Sequence, residues 1–241
     1  MKISLVSYLN SFPYHFGLLN AADGLYSQLD IVNPAVCAKH FADGNSDVAL
    51  VPVGALIDAD DYQLVKPYCI SADGPVRSVL LLSNKPLNDI KHISPDSHSR
   101  SSNLLLKILC HNHWNIHPAF VKHDDSSVDA RIAIGDKAFE LQKNYKYCFD
   151  LSEAWKDMTG LPFVFAVWIA REDVKEEKLK GLKEALEAGI QDPAAAVRHF
   201  GSSGLSFEDA VSYLTDNINF RMNAASEEGL KLFLSMAAKV L

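Results

Sequence analysis

Residues 2–57 read KISLVSYLNSFPYHFGLLNAADGLYSQLDIVNPAVCAKHFADGNSDVALVPVGALI. Lys2–Tyr8 is rich in β-branched and apolar side chains and predicts a strand. Leu9–Pro13 is a loop, and Tyr14–Asn20 reads as a helix. Leu29–Asn33 is a second strand and Val36–Ala42 a second helix. Asp47–Val51 is a third strand, stopped by Pro52 and followed by the short helix Gly54–Ile57. A βαβαβ order of this kind predicts a mostly parallel sheet with right-handed crossovers.

Outward from this stretch, Arg77–Ser83 is another strand, and Asn84, Pro86 and Asn88 mark an exit from the first unit. The pattern then restarts. Ile90–Ser94 is a strand and Pro95–Arg100 a polar loop; Ser101–Cys110 is a helix with Leu104, Leu105, Ile108 and Leu109 on one side. Ala119–Lys122 and Ala130–Ile134 read as strands, Asp136–Gln142 as a helix, and Phe163–Ala170 as a long apolar strand. The remainder is helical: Val174–Ile190, a helix capped by Ser206 and running through Leu214, and Glu227–Val240. Two α/β units with crossings near residues 84 and 168 predict an α/β chain of the two-lobed, type II periplasmic-binding-protein-like kind. Lobe one is expected to comprise 1–84 plus 168–241, and lobe two 85–167. Two crossings make a hinge, and a hinge makes a cleft that closes on a ligand.

Composition narrows the partners. The 241 residues are 48% hydrophobic and 22% charged, as in ordinary globular domains. The formal net charge is −7 with no basic cluster, so nucleic acid is not an expected partner. An anionic ligand therefore needs local positive potential. MKISLVSYLN lacks the apolar core of a signal peptide, and no apolar run approaches the ~20 residues of a membrane span, so a cytoplasmic location is expected and no membrane partner. Cys37, Cys69, Cys110 and Cys148 form no CxxC pair and are expected to be buried free thiols.

Ligands in open α/β sheets bind beyond the carboxyl ends of the strands. The polar residues there are Tyr8 to Ser11, Pro52 to Gly54, Ser97 to Ser102, and Gly135 with Asp136. Ser99, Ser101 and Ser102 open a helix, where free N–H groups and hydroxyls suit a carboxylate or phosphate. The same serines make an ordinary helix cap, which is the commoner arrangement. Asn10 reads equally as a turn residue or a ligand carboxamide. Arg77 and Ser78 open the strand that leads between lobes, where an Arg suits a carboxylate or a surface ion pair. His111, His113, His117 and His123 crowd together, but no Cys or carboxylate completes a ligand set, and metal binding is not expected. There is no GxGxxG, Walker loop or GxSxG.

Several segments resemble one family. VSYLNSFP (6–13) matches the VSYLN-x-x-P opening of the chorismate dehydratases of the futalosine route to menaquinone. SDVALVPVGAL (46–56), CISADGPVRSVLLLS (69–83), DSHSRSSNLLLKIL (96–109) and ARIAIGDKAF (130–139) follow in order. DLSEAWKDMTGLPFVFAVWIAR (150–171), YLTDNINF (213–220) and GLKLF (229–233) extend the resemblance over nearly the whole chain. The sister dihydroxynaphthoate synthases share the fold and the Ser-rich loop but carry a different loop after the first strand. One departure is Ser99-Arg100-Ser101-Ser102 where the family usually has Ser-Arg-Thr-Ser; the hydroxyl is kept.

The resemblance implies loss of water from chorismate to give 3-[(1-carboxyvinyl)oxy]benzoate. Aromatisation drives the reaction, so neither metal nor cofactor is required. It further implies that Asn10 and Ser78 act on the ring hydroxyl or a carboxylate as catalytic residues. Ser99, Ser101, Ser102, Arg77, Gly135 and Asp136 are implied to hold the substrate. The ring proton goes to His98 or to the substrate's own enolpyruvyl carboxylate, and the second is favoured.

Overall fold

The computed structural model describes residues 1–97, 99–121 and 128–240. Numbered along the chain, the strands are β1 (Lys2–Val6), β2 (Gln28–Val32), β3 (Val48–Pro52), β4 (Tyr62–Ala72), β5 (Val79–Ser83), β6 (His92–Ser94), β7 (Ala119–Phe120), β8 (Ala130–Ile134), β9 (Tyr147–Asp150), β10 (Phe163–Arg171) and β11 (Asn219–Arg221). The helices are α1 (Phe12–Leu19), α2 (Pro34–Ala42), α3 (Arg100–Asn112), α4 (Asp136–Leu141), α5 (Leu151–Thr159), α6 (Glu176–Gln191), α7 (Pro193–Phe200), α8 (Phe207–Ser212) and α9 (Ala224–Ala237). No helix among the described residues is long and apolar enough to cross a membrane.

Two sheets form two lobes. The first has the order β11-β4-β10-β3-β1-β2, and the second β7-β6-β8-β5-β9. β1 pairs in parallel with β2 and β3, as the βαβαβ reading requires. β3 sits inside its sheet with every residue buried, so its run of Val, Ala and Leu needs no polar alternation. Both sheets share one arrangement of three parallel strands, one antiparallel strand and a strand beyond it, and the first sheet adds β11 at its edge. In the first sheet the antiparallel member is β10, which pairs with both β3 and β4. In the second it is β5, between β8 and β9.

That arrangement corrects the lobe boundaries. Val79–Ser83 belongs to the second sheet, so the outward crossing is residues 73–78 and not the neighbourhood of 84. β10 joins the first sheet from Phe163 onward, so the return crossing is residues 160–162 and not near 168. Both strands are apolar enough to be central in either sheet, and only their hydrogen-bond partners decide membership. β4, β9 and β11 were not expected. Gln63, Lys66 and Pro67 break the apolar pattern of β4, while β9 and β11 are very short.

Of the C-terminal helices, α6 and α7 pack on α1 of the first lobe, and α9 lies against β10 of the first lobe and α3 of the second. Tyr14 of α1 donates its hydroxyl to the carbonyls of Cys69 (2.7 Å) and Phe220 (2.8 Å), pinning α1 to β4 and β11. Trp168 meets the Tyr14 ring edge-on at 5.6 Å. Cys37, Cys69 and Cys110 are buried free thiols, but Cys148 is exposed, because it faces outward from edge strand β9.

Candidate active site

Four segments meet between the lobes. The first is the β1–α1 loop. Ser11 donates its hydroxyl to the carbonyls of Val6 (2.5 Å) and Tyr8 (2.7 Å), which curls the loop into one 3-10 turn over Leu9–Ser11. The turn carries Asn10 onto the wall of a cavity. The Leu9 N–H donates to Asp136 Oδ1 on the other lobe at 3.0 Å.

The second segment is the outward crossing. Arg77 sits in the left-handed region at φ 63°. Its N–H donates to Asp150 Oδ2 at 2.6 Å. Asp150 also caps α5, accepting from Ser152 N (2.9 Å) and Glu153 N (3.2 Å). So one half-buried carboxylate holds both the crossing and a helix start. Burial pushes its pKa up, against four backbone N–H groups that lower it. Ser78 emerges from the crossing with its hydroxyl 2.8 Å from the Tyr213 hydroxyl.

The third segment is the start of α3. Ser99 is its N-cap, accepting from the Ser102 N–H at 3.2 Å and donating its own proton to Ser102 Oγ at 2.8 Å. The Ser101 hydroxyl accepts from the Gly54 N–H at 2.8 Å, a bond between lobes. The N–H groups of Arg100 and Ser101 lie in the first turn, where a helix has no acceptor for them. The fourth segment is Gly135, whose N–H donates to the Ser78 carbonyl at 2.8 Å. Its φ is 60°, and a Cβ there would lie 2.8 Å from the Tyr8 ring. Only glycine fits both conditions.

These segments enclose a cavity of about 560 Å³, measured out to open solvent. Asn10, Ser78, Ser99, Ser101, Ser102 and Gly135 line it, with Tyr8, Val6, Ile70, Val76 and Phe165 among the apolar walls. None of its described lining residues is Lys, Arg or His. Among the described residues, the groups there that suit an anion are hydroxyls and helix N–H groups. Asn10 Oδ1 is buried and has no hydrogen-bond partner among the described residues. The Asn10 side chain also engages the Tyr213 hydroxyl. Tyr213 is fully buried, and desolvation holds its pKa well above the usual phenol range, so it stays neutral. Tyr8 is pushed up to about 12 by burial, then by Asp96 and Asp136. Burial also raises the Asp136 pKa, against hydrogen bonds from Leu9 N–H and Ser203 that lower it.

Arg77 and Asp136 were expected to touch the ligand, and neither is among the lining residues. Arg77 is committed to the crossing by its backbone, and Asp136 to the Leu9 N–H. His98 and His123 lie outside the described residues. Tyr213 escaped the sequence reading. It stands in YLTDNINF, but nothing local shows that its hydroxyl meets a serine 135 positions earlier.

A family model described as menaquinone biosynthesis matches residues 1–239. The chain belongs to the menaquinone biosynthesis family. The chorismate dehydratase of Campylobacter jejuni (strain 81-176) is 31% identical over 117 residues, 47% of this chain. That match spans about half, 51%, of the curated relative. Among solved structures, a protein from Archaeoglobus fulgidus superposes with a TM-score of 0.79 at 18% identity, covering 99% of this chain and 97% of that one. A Candida albicans gene product with the generic periplasmic binding protein fold gives 0.67 at 15% identity, covering 100% and 90%. The aliphatic sulphonate binding protein of Escherichia coli gives 0.67 at 17% identity, covering 100% and 92%. This menaquinone biosynthesis family member thus has the two-lobed, type II periplasmic-binding-protein-like fold, with its cleft where the four segments meet.

Proposed function

We propose that the protein is a chorismate dehydratase, converting chorismate to 3-[(1-carboxyvinyl)oxy]benzoate and water. The observation that carries this reading is Asn10: a buried carboxamide oxygen without a donor among the described residues, across the cavity from the hydroxyl-rich start of α3. A buried acceptor left unpaired costs about 1–3 kcal/mol. A ligand hydroxyl bound there offsets that cost. Chorismate brings one ring hydroxyl and two carboxylates. With one carboxylate on Ser101, Ser102 and the α3 N–H groups, the ring lies against the apolar walls and its hydroxyl donates to Asn10 Oδ1.

The elimination balances without an external reagent. A base takes the proton from the ring carbon that bears the ether, and the C–H electron pair becomes a ring double bond. The C–O bond of the neighbouring carbon breaks, and the oxygen leaves as water by taking up the proton that the base removed. The base is the substrate's enolpyruvyl carboxylate, held near the ring proton by the closed lobes. Fixing the two ends of the substrate supplies orientation. The Ser78 hydroxyl donates to the departing oxygen, and Asn10 Oδ1 orients that oxygen by accepting from its hydroxyl.

Incubating the purified protein with chorismate tests this. The expected result is a new aromatic absorbance and one equivalent of 3-[(1-carboxyvinyl)oxy]benzoate by chromatography. Tight chorismate binding with no product replaces the dehydratase by a cytoplasmic carboxylate binder. Neither binding nor product points to the sister naphthoate synthase reaction.

A further inference from the structure

We infer that Tyr213 is the positioning residue of this site, its buried hydroxyl setting the Asn10 carboxamide and the Ser78 hydroxyl in register with one another. The inference rests on the dehydratase reading and adds a residue that the cavity wall does not include.

Three observations converge. Tyr213 opens a single π-helical turn, Tyr213–Asn217, that continues α8. Such turns cost hydrogen-bond geometry and concentrate at functional positions. Second, the side chain is 1% exposed and packs edge-on against Phe139 of the other lobe at 5.1 Å and 82°. Phenylalanine would fill the same space. A hydroxyl in such surroundings is unfavourable unless bonded. Third, the groups beside its oxygen are residues of the cavity wall. Ser78 Oγ is 2.8 Å away, and Asn10 is the second such group, its side chain lowering the phenol's pKa against burial.

The atom roles follow from the chemistry of the groups, since either hydroxyl can donate at 2.8 Å. Tyr213 stays neutral, so its oxygen has one proton to give and lone pairs to receive. The Asn10 NH₂ group donates to it, which turns Oδ1, the unpartnered atom, toward a ligand. The Tyr213 proton then goes to Ser78 Oγ, and the Ser78 proton is released toward the ligand. Without the phenol the amide has no reason to keep that orientation, and Ser78 loses its donor.

The test uses the full chain with chorismate as substrate and compares Tyr213→Phe, Ser78→Ala and the double variant. Folding is checked by circular dichroism and thermal melting. Tyr213→Phe is expected to lower kcat by about 30-fold with KM within about threefold, since only alignment is lost. The double variant is expected to be no more than about twofold slower than the slower single variant, because both substitutions break the same bond. If Tyr213→Phe does not fold, Ser78→Ala alone must show the same split between kcat and KM. A fully active Tyr213→Phe beside an active wild type overturns the inference and leaves the dehydratase reading standing. Multiplying losses in the double variant overturn it in the same way. A wild type that leaves chorismate unchanged overturns both.

Discussion

The Gly54 N–H of one lobe donates to the Ser101 hydroxyl of the other across 2.8 Å. This bond fills an acceptor site on Ser101 and leaves its proton for a ligand carboxylate. Ser101 lines the cavity while bridging the cleft, so on the dehydratase reading ligand capture and lobe closure are coupled.

Ser101→Ala removes both roles. The Gly54 N–H is stranded and the ligand loses a donor. An increase in KM for chorismate of about tenfold is expected, in line with ~1.5 kcal/mol for a hydrogen bond to a charged group. Gly54→Ala acts sterically, since a Cβ would lie 3.0 Å from Ser101 N. Small-angle scattering should show a larger radius of gyration for both variants; unchanged scattering and KM would remove this bond from the closure.

Asn10→Ala is expected to separate activity from stability. Turnover should fall by about 100-fold or more, the loss typical of a positioned polar group in a water-excluded site. The melting temperature should hold or rise, because a buried acceptor without a partner disappears with the side chain. A drop in Tm accompanying the loss of turnover would show that Asn10 serves the fold.

Asp136 makes a pH-dependent prediction. Its pKa in the folded protein is raised by burial, so the native state holds the proton to higher pH than the unfolded chain. Stability from this group is therefore lost as pH rises from the ordinary value of 3.8 through the raised one, and the penalty is complete above it. Asp136→Asn keeps an acceptor for the Leu9 N–H and removes the penalty. Its Tm should exceed that of the wild type at pH 7, with the gap closing below about pH 4. Removing a negative charge near the cavity should also lower KM for the dianion. A gap that widens on acidification would show the carboxylate to be stabilising.

Arg77→Gly tests whether backbone or side chain matters at the crossing. At φ 63° arginine is strained and glycine is not. The variant should melt higher, by about 2–4 °C for ~1 kcal/mol in a chain of this size, and keep KM within about twofold. A large increase in KM would return the guanidinium to the ligand.

How much of this was legible in the sequence depends on the range of the forces involved. β3 announces itself by an uninterrupted apolar run, β1 and β8 by mostly apolar ones, and Ser206 caps its helix as its spacing predicts. The loops bearing Asn10, Ser99–Ser102 and Gly135 follow from the rule that ligands lie beyond strand ends. Sheet membership does not follow, because Val79–Ser83 has the same composition whichever lobe it pairs with. Tyr213 was hidden for a related reason: its partners come from the first third of the chain and from a crossing whose path depends on Asp150. Arg77 was singled out for its charge, and its backbone conformation, invisible in the letters, holds the crossing.

The antiparallel strands that fill the two sheets also set an order of assembly on the ribosome. The second lobe has all five of its strands once residue 150 has been made. The first lobe, begun with residue 2, keeps an empty slot between β3 and β4 until Arg171 has been added. Nascent chains thus carry an early sheet with two open edges facing a gap, and the later lobe closes before the earlier one is whole.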